Sequence, residues 1–428
     1  MERSLTETKN PLLNEVLADD STEGHEKRLA RYAAAKARQQ EVSDYILHQN
    51  CDQVTGAMIE NPDHAMLKVK DALNDCGSFL VYRHYYQLEK YRLLAGCTCK
   101  KHLLCALCAI RRAAKCVAVY SEKITEVTQG QEFDTVLITL TIKNGSDLAE
   151  RYDHLQKSFQ RLLQKRKNSL KKNPTQETPF KHVAGAIYSY EVTYSETGYH
   201  PHIHMIALVP KGIFAIREKI LPEKEVDGKT LKEKTIRLLP DLWAGLVSDW
   251  QELTGDSKIV DVRLIYDEED KMSALVETFK YALKMSEMDV SVQVACYSVL
   301  RTRRMIGSMG ALFGVKLPVN LNDDLLPGEE KYIDLIYQYS GVNFGYQLIS
   351  HGESSFQVST LSQRFSKKKE PRRDALRTPE NLLAGIREKA NEGRRLAPIR
   401  YQKDYEAWLK KNVKKEPFLK TVDELEWI

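Results

Sequence analysis

The chain has 428 residues, with 64 Lys and Arg against 59 Asp and Glu for a net charge of +5. That length allows one main domain with extensions or two domains, and so modest a charge means that any nucleic-acid surface must come from local clustering. The polar, acidic start and the lack of an apolar run of membrane-spanning length argue against a secretory leader and a membrane partner, which predicts a cytoplasmic protein.

Residues 1–95 read as an α-rich region, from the Ala/Arg-rich stretch at 26–40 to the aromatic segment at 79–94. The next stretch, 96–130, holds Cys97-Thr98-Cys99 and Cys105-Ala106-Leu107-Cys108. Eight cysteines in so long a chain do not make a secreted disulfide framework. Thiolates this close in a reducing compartment suit tetrahedral Zn²⁺, which fixes a loop too short to fold on apolar burial. His102 or Cys116 is an alternative ligand, and unliganded thiols are the bland alternative. Lys100, Lys101, Arg111, Arg112 and Lys115 crowd this element, either as phosphate contacts or as a solvated face.

A compact pattern fills 131–315. Residues 134–143 read as a strand, 147–167 as a helix, and 183–194 with 200–209 as a hairpin. Residues 239–253 follow as a helix with Trp243, Leu246, Val247 and Trp250 at helical spacing, and 260–266 as a strand. The order βαββαβ predicts an α+β domain with an antiparallel ferredoxin-like sheet, and polar 221–237 reads as an insertion on its rim. Residues 316–428 form a C-terminal region with a basic tail that includes Arg364, Lys367, Lys368, Lys369, Arg372 and Arg373. Lys165, Arg166, Lys167, Lys171 and Lys172 make a second basic run; each run is a DNA contact or a solvated face.

The hairpin carries His200-Pro201-His202-Ile203-His204. Strand side chains alternate, so His202 and His204 share a face. A four-residue loop with Glu196-Thr197 at its tip pairs Tyr194 with Tyr199 and Glu191 with His202, which adds a carboxylate to that face. An odd-length loop would turn Glu191 away. Two imidazoles, a carboxylate and open positions suit Mn²⁺ or Mg²⁺ in a phosphate-handling site, though Zn²⁺ also fits, and ordinary buried histidines are the bland reading. His200 shares the face, and Glu196 is a weaker ligand candidate. Residues 270–288 read as one helix with Glu277 and Tyr281 side by side and Lys284 a turn further on. Tyr281 is either half of a surface pair or the nucleophile for a metal-polarised phosphodiester.

The strand Ile138-Thr139-Leu140-Thr141, the His-hydrophobic-His strand and Lys280-Tyr281-Ala282-Leu283-Lys284 resemble, in order and spacing, the three motifs of plasmid rolling-circle replication initiators of the HUH endonuclease superfamily. The resemblance extends to the single-tyrosine branch with a glutamate four residues before the tyrosine, as Glu277 is here, and covers roughly 95–315. That branch often has a Cys-Pro-x-Cys element, where this chain has Ala106 in place of the proline. The segment Arg303-Arg304-Met305-Ile306-Gly307-Ser308-Met309-Gly310 resembles a further family segment. The resemblance implies an HUH nuclease domain over 131–315. In it His202, His204 and Glu191 hold Mn²⁺ or Mg²⁺, and Tyr281 nicks single-stranded or cruciform origin DNA. A 5′-phosphotyrosine and a 3′-OH primer result. Glu277 would direct termination, and Lys280 or Lys284 would favour the phenolate. No G-x-x-x-x-G-K-[ST] loop occurs, which predicts reliance on a host helicase and DNA polymerase. A relaxase or transposase of the same superfamily and a non-catalytic zinc-containing DNA-binding protein are the alternatives.

Overall fold

The computed structural model describes residues 20–130, 132–213, 217–221, 224–226, 229–231, 234–238, 241–317, 320–326 and 331–352. The basic run at 364–373 lies outside them. The chain divides into two compact units, and of the described residues 44–70 fall in one and 20–43 with 71–352 in the other. The smaller holds the end of helix α1 (Thr22–Gln49), a Cys51–Met58 bridge and the start of α2 (His64–Asp75). The Asp63 carboxylate caps α2 by accepting from the Ala65 and Met66 amides.

In the larger unit, residues 79–94 depart from the helical expectation. They form β1 (Phe79–Tyr85) and β2 (Lys90–Gly96), an antiparallel hairpin. Phe79-Leu-Val-Tyr is aromatic and β-branched, which suits a pleated surface once a partner strand is present. Helix α3 (Ala106–Thr128) follows, then β3 (Phe133–Thr141) and α4 (Leu148–Ser169), whose N-cap Asp147 accepts from two first-turn amides. Next come β4 (Gly185–Ser195) and β5 (Gly198–Pro210). The expected rim insertion is a nested hairpin in which β6 (Arg217–Leu221), β7 (Lys224–Val226), β8 (Lys229–Leu231) and β9 (Lys234–Leu238) pair outer with outer and inner with inner.

Helix α5 (Asp241–Thr254) and β10 (Val260–Ile265) then return to the main sheet, and the Trp250 indole N–H donates to the Thr141 carbonyl at 2.7 Å. The helix expected over 270–288 is two helices, α6 (Glu268–Phe279) and α7 (Tyr281–Glu287), broken at Lys280. Helix α8 (Val290–Leu300), β11 (Ile306–Gly310), β12 (Ile333–Tyr339) and β13 (Tyr346–Gly352) complete the unit. One antiparallel sheet has the order β10-β3-β5-β4-β11 and a second β13-β12-β1-β2. The second sheet supplies β12, from beyond residue 315, as the missing partner of β1.

The first sheet is the core. Residues 201–209 of β5 are all buried, since this central strand has β3 and β4 along its edges and helices against its faces. Tyr188 meets Phe159 of α4 edge-on and Tyr190 packs at a tilt against Tyr152, while Ser189, between them, donates its hydroxyl to the Thr278 carbonyl of α6. Alternation on β4 therefore separates an aromatic core face from a polar face. Gly198 opens β5 with φ +99°, and a Cβ there would strike the Gly145 carbonyl. Only glycine fits that turn.

A buried ion cluster ties α1, α3 and β2 to the segment before β12. Asp323 takes Arg28 at 2.9 Å, Arg111 at 2.6 Å and the Leu93 amide at 2.7 Å. Burial works to raise its carboxyl, but Arg111 and Arg28 outweigh it and hold the pKa at about 2. Arg111 is thus occupied inside the fold, and Lys115 pairs with Asp324. Asp323→Ala removes the carboxylate shared by two buried guanidinium groups and is expected to cost about 3–5 kcal/mol in urea unfolding. With the folded pKa depressed, the carboxylate's contribution should be complete above roughly pH 4 and fade as pH falls towards 2. Acid titration of wild type against Asp323→Asn measures that window, and parallel curves would refute the assignment.

Candidate active site

The β4–β5 ladder pairs Glu191 with His202 and Ser189 with His204, and continues to Ser195–Gly198, so Glu196-Thr197 is a two-residue turn. Glu191, His202 and His204 are only 3%, 7% and 6% exposed. Their ligand atoms lie within 4.8 Å of one another: Nε2 to Nε2 is 3.1 Å, and the Glu191 oxygens are 3.4 Å from His202 and 3.7 Å from His204. The outer nitrogens are engaged, His202 Nδ1 with the His200 carbonyl at 3.1 Å and His204 Nδ1 with Thr139 Oγ1 at 3.2 Å. With Nδ1 protonated on His202 to reach that carbonyl, its Nε2 lone pair points inward. Glu191 Oε2 is buried without a hydrogen-bond partner. Burial, opposed by Glu191, lowers His204 to about 4, so this ring is neutral at physiological pH. Burial also works to raise Glu191, but His202, His204 and Lys280 leave it below the usual carboxylate range. A neutral imidazole, inward lone pairs and an orphaned carboxylate oxygen are what a divalent cation takes as ligands. Glu196, exposed at the turn, is not part of the group; His200 contributes its carbonyl.

Glu277 and Tyr281 lie on either side of the one-residue break at Lys280. Glu277 lies 3.7 Å from His204 and 2.6 Å from Lys280. Beyond the break, Tyr281 is 2% exposed and lines a cavity of about 470 Å³ with His102, Arg112, Arg303 and Arg304. Its hydroxyl faces the Arg112 guanidinium, and its ring meets His102 edge-on at 6.1 Å. Burial pushes the phenol up to about 12 against the opposing charge of Arg112. Lys284, a turn beyond the tyrosine, pairs with Glu287 at 3.2 Å. Lys165 is held by Asp249 and Glu252, and Arg166 donates to the Val183 carbonyl, so two of the five residues of that basic run are structural.

The cysteine cluster gathers four sulfurs, with one member changed from the sequence expectation. Cys99, Cys105 and Cys108 are joined by Cys76, just beyond the end of α2, and not by Cys97. Sulfur separations are 3.6 Å for Cys76–Cys105 and Cys76–Cys108 and 3.7 Å for Cys99–Cys108. A tetrahedral Zn–S₄ site with bonds of 2.3 Å has edges of ~3.8 Å, so the donor set fits zinc. Lys36 backs it, its ammonium donating to the Asn74 and Cys76 carbonyls at 2.7 and 2.6 Å, and the Cys105 thiol lies 3.0 Å from Gln39 Oε1. Cys97 instead accepts the Gly77 amide on its carbonyl at 2.7 Å. The loop between the thiols carries His102 to Tyr281, and the sequence had offered His102 only as an alternative ligand.

Residues 90–225 match the family described as Replication protein. The chain is also similar to three proteins named Protein rep. That of Staphylococcus aureus is 24% identical over 221 residues, 51% of this chain and 82% of the relative. That of a Bacillus species is 26% identical over 60% of this chain and 82% of the relative, and that of Streptococcus pneumoniae serotype 2 is 30% identical over 50% and 60%. No solved structure matches the chain significantly. The chain is thus a relative of the replication proteins, and the matched segment contains three of the four clustered thiols and the whole Glu191-His202-His204 group.

The thiol geometry separates Cys76 from Cys97 by experiment. The full chain is expected to carry one tightly held zinc by elemental analysis, retained in Cys97→Ser and lost in Cys76→Ser. Zinc lost from the first variant and kept in the second would restore the contiguous cluster.

Proposed function

We propose that the chain initiates rolling-circle replication of a plasmid by nicking origin DNA and transferring the cut strand. The observation that carries this reading is the convergence of His202, His204 and Glu191 on one buried point with Glu277 beside it, in a relative of replication proteins. The strand order β10-β3-β5-β4 with α4 and α5 as connections supports a ferredoxin-like nuclease domain of the HUH class. Mn²⁺ or Mg²⁺ held by the triad would withdraw charge from a DNA phosphate.

His202 and His204 present Nε2, fixed by the His200 carbonyl and Thr139, so the site needs little rearrangement to accept its ligand. Tyr281 is a neutral phenol at rest, given a pKa near 12, so its proton must leave as Oη bonds to phosphorus. The bond to the 3′ oxygen breaks, giving a 5′-phosphotyrosine and a 3′-OH primer. Glu277, with Lys280 at 2.6 Å, lies on the triad side of the helix break. There it serves water or a second strand and not the resting tyrosine. Origin DNA, single-stranded or extruded as a cruciform, is the substrate; a host helicase and polymerase act with it, and zinc stiffens the Cys76 cluster.

Single-stranded origin oligonucleotides with Mn²⁺ test the reading. Wild type should form a covalent adduct at Tyr281, and Tyr281→Phe none. Glu277→Ala should keep the first nick within about threefold while strand closure falls about 10²-fold. No adduct from folded wild type on any origin strand would favour a DNA-binding protein without catalysis, and equal loss of first nicking in both variants would remove the assigned role of Glu277.

A further inference from the structure

The cavity that receives the Tyr281 ring holds more side chains than the nicking chemistry uses. Its walls include Arg112 from α3, Arg304 ahead of β11, Tyr120, and Phe313 from the turn after β11. At about 470 Å³ it is of the size that accepts a nucleotide. Phe313 is 70% exposed. The turn that holds it out is tightly specified: Gly310 and Gly314 have φ +59° and +85°, a Cβ on Gly310 would strike the Ala184 carbonyl, and the Phe313 amide donates to the Gly310 carbonyl at 2.9 Å. An open aromatic on a fixed turn offers a ring face at low entropic cost.

The arginines divide in the same sense. Arg303 is committed to the fold, paired with Asp153 and lying 5.0 Å over the Tyr152 ring. Arg304 is exposed, bonds the Ile306 carbonyl through Nε at 2.8 Å, and lines the cavity. Arg112 lines it too, with a buried Nε that lacks a hydrogen-bond partner, and among the described residues no carboxylate does so. Guanidinium groups without a carboxylate match phosphate, and an open ring beside them matches a base.

We propose that this cavity is a nucleotide subsite for single-stranded DNA, with Arg304 and Arg112 on backbone phosphate and Phe313 stacked on a base. The strand is thereby seated against Tyr281, and that consequence rests on the reading of Tyr281 as nucleophile. The probe is a fluorescein-labelled 12-nucleotide oligothymidylate carrying 5-iodouracil, used with the full chain and no divalent metal. Photocrosslinks should map to the peptide containing Phe313. Arg304→Ala and Phe313→Leu should each weaken binding by anisotropy about tenfold, with Arg304→Lys recovering part of the loss and Arg301→Ala, exposed outside the cavity, binding as wild type. Crosslinks confined to other peptides, or wild-type affinity in both cavity variants, would overturn the subsite. Adduct formation with origin strands and Mn²⁺ is scored separately. Crosslinking at Phe313 without any adduct keeps the subsite and removes the nuclease, whereas adducts with unchanged cavity variants do the reverse.

Discussion

The site depends on the pairing register of β4 with β5. A strand has a period of two, so shifting the ladder by one residue would turn Glu191 to the opposite face, bring Tyr188 and Tyr190 round in its place and leave the histidines without a carboxylate. Two constraints hold the register. The two-residue Glu196-Thr197 turn closes on Gly198, whose positive φ and contact with Gly145 fix the end of the hairpin. At the other end, Met205 to Val209 are buried on both faces, so a slip would disrupt helix packing as well as the site. A charged group as buried as Glu191 is tolerable only because the register brings it partners.

Local pattern was enough where the relevant contacts are local. The hairpin register follows from counting back across a turn, and the order of strands and helices from residue 133 to 265 follows from periodicity. Contacts set by distant chain are another matter. Residues 79–94 have aromatic spacing that a helix also satisfies, and what makes them strands is β12, more than 200 residues later. Cys76 is separated from Cys99 by β1 and β2, and only the folding of that hairpin returns the chain to within thiol contact. The run Cys97-Thr98-Cys99 looks like a ligand pair because both are near in sequence, yet residues two apart in extended chain point the same way only if the strand continues. Here β2 ends at Gly96, and Lys100, at φ +58°, turns the loop.

The thiol cluster and the tyrosine are parts of one construction. The loop between Cys99 and Cys105 carries His102 over the Tyr281 ring, and α3, which begins at the cluster, carries Arg112 and Tyr120 into the same cavity. A metal that fixes this loop would therefore set the walls around the phenol, and its removal would act on the tyrosine's surroundings before any DNA surface.

The helix break at Lys280 gives the four-residue spacing of Glu277 and Tyr281 a different meaning from the one an unbroken helix implies. On a continuous helix the two would share a face and compete for the same phosphate. Here the Ser189 hydroxyl donates to the Thr278 carbonyl, Lys280 interrupts the helix, and the carboxylate stays beside His204 while the phenol turns to an arginine-lined cavity. A carboxylate beside the phenolate would oppose its formation, whereas Arg112 favours it. On the proposed reading, that separation would let a carboxylate used at one stage of strand transfer coexist with a phenolate used at another.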